Sequence, residues 1–368
     1  MLAAPRPTPR TDRSAPAPTP APQIRDMAAR ATGFSVDFDV RTVYDFLFSL
    51  AEDAGKTDDL PAAERDWLRT TRESLAEDLR PDLARLFGGQ LAIHLGGLVV
   101  ERADVRTTDA LVDAVEAMAT PDLLATILRD VAHDPELAPL VERATGGAPD
   151  AIEALQAAAP WIAGDIGALL EDPSTAHSRI VAILRTWATA FATIEDRVRA
   201  ILERDVALRA ADRGAYQGAE LIERTTGGIR WLPEVGIRRV VLAPSVFNRP
   251  FNYLLAGDGW RFFGYPVADD ALGAADRLAP PPAMLRLHRA LGDETRLRIL
   301  KLLAGQDLYL TEIAQQLDLS KPTIKHHLAL LRSAGLVTVV EAGSVIYYNL
   351  RRDRLEAASG ELGRFLSD

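Results

Sequence analysis

From about residue 40 to residue 218, apolar positions recur every three or four residues, the spacing of helices that bury one face. The stretch VYDFLFSLAEDA at 43–54 has this pattern. So does the run at 178–214, where Ile180, Ile183, Leu184, Trp187, Phe191, Ile194, Val198 and Ile201 predict one long central helix with a core-facing stripe. Between residues 227 and 267 the texture changes to short β-rich runs, GIRWL, RRVVLAPSVF and FNYLLAGDGWRFFGYPV. Gly257, Asp258 and Gly259 place a turn inside the last of these, so a hairpin or small meander is expected to close the helical part. The aromatic side chains gathered from Trp231 to Tyr265 suit either a sheet packed on helices or a pocket. Prolines at 280, 281 and 282 then stop the pattern, because proline cannot continue a helix and restrains the residue before it. A unit boundary is expected there.

Beyond the prolines, MLRLHRALGDETRLRILKLLAG reads as two helices parted at Gly292 and Asp293, with Asp293 capping the second. LTEIAQQL follows, with Thr311 as its expected N-cap and Ile313, Ala314 and Leu317 facing inward. A turn at Asp318, Leu319 and Ser320 leads into KPTIKHHLALLRSAG, so helix, short turn and helix succeed one another. On a helical wheel Ile324, His327, Leu328 and Leu331 gather on one side, and Pro322, Lys325, His326, Ala329 and Ser333 on the other. Lys321 and Arg332 fall on one flank and Thr323 on the opposite one. The outer face therefore combines donors for base edges, small residues that allow close approach and cations for phosphates, a set that fits the major groove of double-stranded DNA. Ser320 as N-cap would turn helix amides toward a phosphate, and Pro322 is tolerated in the first turn. GLVTVVEAGSVIYYNL supplies two strand-like runs around Ala342 and Gly343, a hairpin wing.

The expected fold class is mainly α with small β elements. A disordered Pro-rich tail occupies 1–23, a mainly helical unit 24–280 with its β element at about 227–267, and a winged helix-turn-helix 281–368. The tail holds seven prolines and too few large apolar side chains to offset chain ordering.

Charge sharpens this division. The 368-residue chain carries −10 overall, distributed as +2 over residues 281–368 and −12 over the rest. Between residues 320 and 352, Lys321, Lys325, Arg332, Arg351 and Arg352 face a single acid, Glu341. A local basic face on an acidic protein suits an anionic partner for that face alone. The chain has no cysteine, which excludes disulfides, thiolate metal sites and cysteine nucleophiles and fits a reducing cytoplasm. No run approaches the roughly 18 apolar residues of a membrane span, and the N-terminus has no secretory apolar block, so a cytoplasmic protein without a membrane partner is expected.

ALGDETRLRILKLL, LTEIAQQLDLSKPTIKHHLALLRSAGLV and the YYNL strand together resemble the winged helix-turn-helix of the ArsR family of bacterial transcription regulators. The resemblance spans about residues 283–352. It implies a homodimer on a near-palindromic operator, commonly a repressor released by an effector. It also implies DNA contacts from Lys321, Thr323, Lys325 and His326, a structural role for His327, and dimerisation through residues 284–290 and 355–366. Three departures stand out. Leu308 and Leu310 occupy positions where metal-sensing members often carry cysteines, the last helix (residues 353–366) has no histidine, and Glu341 and Ser344 stand near a wing tip that is often basic in relatives. GGIRWLPE and VVLAPSVFNRPF resemble, less specifically, the extra domain that precedes the winged helix in some actinobacterial regulators.

Other chemistry finds little support. His326 and His327 diverge by about 100° on a helix, and His94, His133 and His177 lack a second histidine four residues on, so no metal is assigned. Ser245 lacks the glycine framing of a nucleophile elbow and no Gly-rich phosphate cradle follows a strand, so no catalytic residue and no cofactor are assigned. The expected function is sequence-specific DNA binding by a homodimeric ArsR-type repressor under a non-thiolate effector. Ser320, Lys321, Pro322, Thr323, Lys325, His326, Ala329 and Arg332 would meet DNA, and Trp187, Phe191 and Trp231 would line a pocket for a small apolar or aromatic effector. The alternatives are a winged-helix interaction module that does not bind DNA, or an unrecognised activity in the N-terminal unit.

Overall fold

The computed structural model describes residues 33–51, 54, 59–87, 91–132, 134, 136–159, 163–273, 280–342 and 345–367. The Pro-rich tail, His133 and the wing-tip residues Gly343 and Ser344 lie outside them. Within them the chain is mainly helical with two small sheets, as the periodicity predicts. The strands are β1 (Ser35–Phe38), β2 (Ile229–Trp231), β3 (Arg239–Ser245), β4 (Tyr253–Gly257), β5 (Trp260–Pro266), β6 (Leu308–Tyr309), β7 (Val337–Ala342) and β8 (Val345–Leu350).

The helix Thr42–Leu50 is the hub of the N-terminal unit. The apolar spacing predicts one buried face, yet all nine residues are buried, because helices pack around it on one side and the first sheet on the other. The long helix expected over 178–214 is instead three, Pro173–Phe191, Glu195–Leu208 and Ala210–Ala215. At the first break the Thr193 hydroxyl bonds the Ala190 carbonyl at 2.7 Å, the local competition by which threonine offers backbone groups an alternative to the helix ladder. The core stripe survives the break, with Ile180, Ile183, Leu184, Trp187, Phe191, Ile194, Val198 and Ile201 all buried in one cluster.

The β-rich stretch is not a meander. β4 and β5 form the expected hairpin, but β3 lies parallel to β5 and β1 parallel to β3, giving the order β1-β3-β5-β4. Both faces of this sheet are covered. Val241, Ala243 and Phe262 join the helical core, while Val240, Leu242, Phe263 and Tyr265 form a second cluster with Ile222, Ile229 and Trp231. Alternate residues of β3 therefore enter different cores, and a strand buried on both faces reads as a continuous apolar run. The aromatic concentration is sheet core.

GIRWL leaves this sheet. β2 pairs in parallel with β7, Ile229 opposite Val339 and Trp231 opposite Glu341, in a sheet of order β2-β7-β8-β6. The wing sheet thus takes its edge strand from the N-terminal side of the expected boundary at the prolines, and the Val339 amide donates to the Gly228 carbonyl at 3.0 Å. Gly228 has φ +122°, and a Cβ there would stand 3.1 Å from Thr338 Cγ2, so the close approach of β2 to β7 needs a glycine at this point. The winged-helix core itself is a separate cluster built from Leu287, Ile299, Leu303, Ile313, Leu317, Ile324, Leu328, Leu331, Leu336 and Val337.

One buried carboxyl joins helix to sheet. Asp45 is fully buried, and its Oδ1 accepts hydrogen bonds from Ser245 Oγ at 2.6 Å, Val246 N at 2.9 Å and Phe247 N at 3.0 Å. Burial pushes its carboxyl up to about 7, outweighing the downward pull of those three donors. An acid whose pKa is higher folded than unfolded stabilises the fold while protonated, and that contribution fades as pH rises from about 4, the unfolded value, to about 7. The N-terminal unit should therefore lose roughly 2–4 kcal/mol of stability between pH 5 and pH 8 through this group, and Asp45→Asn should flatten that slope. Urea unfolding followed by tryptophan fluorescence at both pH values reads it; an equally steep slope in Asp45→Asn would assign the dependence elsewhere.

Candidate nucleic-acid interface

The C-terminal unit begins with the helices Pro282–Leu291 and Glu294–Leu303, then Leu310–Leu317, the recognition helix Lys321–Ser333, the hairpin β7–β8 and the last helix Arg352–Ser367. Asp293 caps Glu294–Leu303 through a 2.9 Å bond from the Arg296 amide to its Oδ1. Leu310–Leu317 starts two residues earlier than Thr311 as N-cap would require. Its cap position is Tyr309, whose amide donates to the Glu312 carboxylate at 2.9 Å, so the glutamate in the first turn does the work assigned to the threonine.

The turn rests on two residues. Asp318 adopts the left-handed conformation, φ +54°, which aspartate tolerates better than most side chains, and the Leu319 amide closes the preceding helix on the Ala314 carbonyl at 3.0 Å. Ser320 then caps the recognition helix. Its Oγ accepts from the Thr323 amide at 3.3 Å and lies 2.7 Å from the Thr323 hydroxyl, which pre-positions both side chains.

Ile324, Leu328 and Leu331 are buried and dock this helix into the winged-helix core. Ser320, Lys321, Pro322, Thr323, Lys325 and His326 are all exposed, and Ala329 is half-buried at the edge of the same face. The structure thus gathers most of the expected DNA-contacting residues on the N-terminal two turns. His327 takes the structural side. It is half-buried, Nδ1 3.8 Å from Asp293 Oδ1, and burial holds its pKa below the usual histidine value in spite of the carboxylate. His326 and His327 consequently meet different surroundings.

Arg332 is the exception. The wheel puts it on the flank of Lys321, but a wheel discards axial position, and eleven residues separate the two by roughly 16 Å along the helix. Arg332 is half-buried and lines a cleft against the N-terminal unit, so its phosphate-contact expectation is set aside. The expected effector residues also part company. Trp187 and Phe191 are buried in the helical core, Trp187 donating to Ser49 Oγ at 2.8 Å, whereas Trp231 belongs to the other cluster and donates to Glu234 at 3.2 Å. No common pocket forms from these three. What the sequence reading missed is the arginine-rich wall of the cleft, since its members are scattered from Arg209 to Arg354 and share no local motif.

Helix, turn, recognition helix and two-stranded wing define a winged helix-turn-helix. The family model for the bacterial regulatory protein, arsR family, matches residues 293–339. The transcriptional repressor SdpR of Bacillus subtilis is 34% identical over 84 residues, 23% of this chain and 93% of that protein. The HTH-type transcriptional regulator CmtR of Mycobacterium tuberculosis is 40% identical over 80 residues, covering 22% of this chain and 68% of its own. The transcriptional activator HlyU of Vibrio cholerae is 34% identical over 71 residues, 19% of this chain and 66% of that protein. The chain belongs to the ArsR family, and its C-terminal unit makes it a DNA-binding regulator of transcription by class. These relatives are named as regulators rather than enzymes. Ser245, the one serine weighed as a nucleophile, is buried with its hydroxyl held by Asp45. No helix among the described residues is long and apolar enough to cross a membrane.

The cap gives a local test. Replacing Ser320 with alanine should release the Thr323 amide and speed hydrogen exchange in the first turn of the recognition helix about fivefold, the equivalent of roughly 1 kcal/mol. Unchanged exchange at Thr323 would mean that the cap contributes nothing in solution.

Proposed function

We propose that the chain is a homodimeric, sequence-specific repressor whose recognition helix reads an operator through Lys325 and His326, with Ser320, Lys321 and Thr323 on the phosphates. The observation that carries this reading is the exposure of these five residues on a helix whose opposite face is fully engaged in the core. Pro322 and Ala329 leave room for close approach to the groove floor. Two-fold pairing would place two such helices about 34 Å apart, one turn of DNA.

Of the two segments expected to pair, 284–290 and 355–366, the second is the better supported. Met284, Leu287 and Ala290 are buried within the chain, so the apolar face of Pro282–Leu291 is already covered. Leu362 and Leu366 of the last helix are exposed, at 38% and 74%, and are the better candidates for a two-fold contact. The N-terminal unit, residues 24–280 with β2 reaching into the wing sheet, is assigned a regulatory role, which suits its separate core and its direct strand contact with the wing. Leucines at 308 and 310 support an effector that is not a thiolate-bound metal.

Selection of bound sequences from a random DNA pool at two salt concentrations tests the proposal. An enriched palindrome, with retention falling steeply as salt rises, is the expected result. Lys325→Ala should then relax preference at one operator position at a cost of about 1–3 kcal/mol, while Lys321→Ala should weaken all sequences alike. A selection profile identical for wild type and Lys325→Ala would remove Lys325 from base reading.

A further inference from the structure

Where the N-terminal unit meets the winged helix there is a cleft of about 260 Å³. At roughly 30 Å³ per water this is room for about nine waters, or for one small metabolite. Arg209, Arg224 and Arg249 line it from the N-terminal side. Arg286, Arg332, Arg351 and Arg354 line it from the winged helix, and among the described residues Asp269 is the single carboxylate in the wall.

Several of these cations are held in place from the flank. Asp205 holds Arg209 at 2.8 Å, Asp353 holds Arg351 at 2.9 Å, Glu361 pairs with Arg354, and Asp269 bridges Arg249 and Arg286. None of Asp205, Asp353 and Glu361 lines the cleft itself. Arg224 donates to the Tyr216 hydroxyl and lies over its ring, a neutral partner. A guanidinium has five donors in a planar fork, and Arg224 and Arg351 each give one hydrogen bond to the side chains just named, so donors remain for a ligand. Two helices, Gly218–Thr226 and the recognition helix, end at the cleft, and helix C-termini disfavour anions. Both are closed alike: the Gly228 amide bonds the Glu223 carbonyl at 2.8 Å and the Leu336 amide bonds the Leu331 carbonyl at 2.9 Å. Those carbonyls are therefore occupied, and about half a charge at each helix end is smaller than the excess of the seven guanidinium groups over the carboxylates that pair with them, Asp59, Asp205, Asp269, Asp353 and Glu361.

We propose that this cleft is a binding site for a small multivalent oxyanion, a phosphorylated or polycarboxylate metabolite, which clamps the winged helix to the N-terminal unit. The site supplies the regulatory input that the repressor reading leaves open, and it rests on that reading only for its consequence at the operator. Arg332 and the residues Ser333, Ala334 and Gly335 put the ligand against the end of the recognition helix. The other wall lies beside Gly227, one residue before the Gly228 carbonyl that joins β2 to the wing. Bidentate contacts from arginines on both walls would fix the angle between the units, and with it the spacing of two recognition helices in a dimer.

The test uses the full chain without DNA, titrated calorimetrically with inorganic pyrophosphate in one arm and citrate in the other, at constant ionic strength set with sodium chloride. Saturable binding with a rise of a few degrees in Tm is expected in at least one arm, and the stronger arm identifies a phosphate or a carboxylate source. Arg224→Ala combined with Arg351→Ala should weaken that binding at least about tenfold, the double lysine variant should fall between, and Arg143→Ala, an exposed arginine that pairs with Asp150 and does not line the cleft, should match wild type. No heat in either arm, or equal affinity in the double alanine variant, overturns the proposal. Because no DNA is present, that result would leave the operator assignment untouched, and failure of DNA selection would leave the cleft intact as a ligand site.

Discussion

The pairing of β2 with β7 is the constraint on which the rest of the molecule depends. A strand must satisfy its backbone donors and acceptors on both sides or leave an open edge, and β7 meets this need with β8 on one side and a strand from residues 229–231 on the other. Trp231, one strand end away from the Gly228 carbonyl, is buried in the cluster that also covers the outer face of the first sheet. A single three-residue strand therefore links the wing, the sheet and, through Asp45 and the Ser245 to Phe247 turn, the helix Thr42–Leu50. The wing and the N-terminal unit share backbone hydrogen bonds rather than a side-chain surface alone.

Charge is organised to the same end. Residues 1–280 carry a net charge of −12, a sign unfavourable to nucleic acid, while the exposed turns of the recognition helix carry Lys321, Lys325 and His326 on a face from which acids are few. Cations that would otherwise add to nonspecific DNA affinity, Arg332 and Arg354 among them, are drawn inward to the cleft or paired with carboxylates. Arg286 is the clearest instance, bonded to Asp59 at 3.0 Å and Asp269 at 2.9 Å across the boundary between units. A half-buried, multiply bonded arginine of this kind fixes orientation more than it adds stability.

The winged helix was legible from residue pattern because its signals are local. The apolar stripe through Ile324, Leu328 and Leu331, the cap at Ser320 and the paired strands after Gly335 each lie within a few residues of what they specify. The outward placement of Lys325 and His326 and the inward one of His327 follow from helical period alone. What was not legible depends on contacts distant in sequence. β1 could not be recognised from four residues whose partner, β3, lies some two hundred positions away, and the parallel order of the first sheet is invisible to a reading that pairs neighbouring strands. The single helix expected over 178–214 failed at Thr193, where periodicity persists although the backbone turns. The three-residue aromatic pocket failed because spacing cannot tell which of two cores a tryptophan enters.

The proline stretch at 280–282 looks like a place to cut, and the core clusters on either side of it are separate. The strand partnership argues otherwise. A fragment beginning at the prolines would keep its own apolar core and its recognition helix, yet would expose along β7 the donors and acceptors that β2 covers, beside the apolar Val337, Val339 and Val340. Such an edge is a template for any extended chain that can add to it, including another copy of the fragment. No single cut frees the DNA-binding unit with its edge covered, because β3, β4 and β5, which lie between β2 and the prolines, are paired with β1 and packed in the N-terminal core, so the wing borrows β2 from a chain that returns through the other sheet before it reaches residue 280.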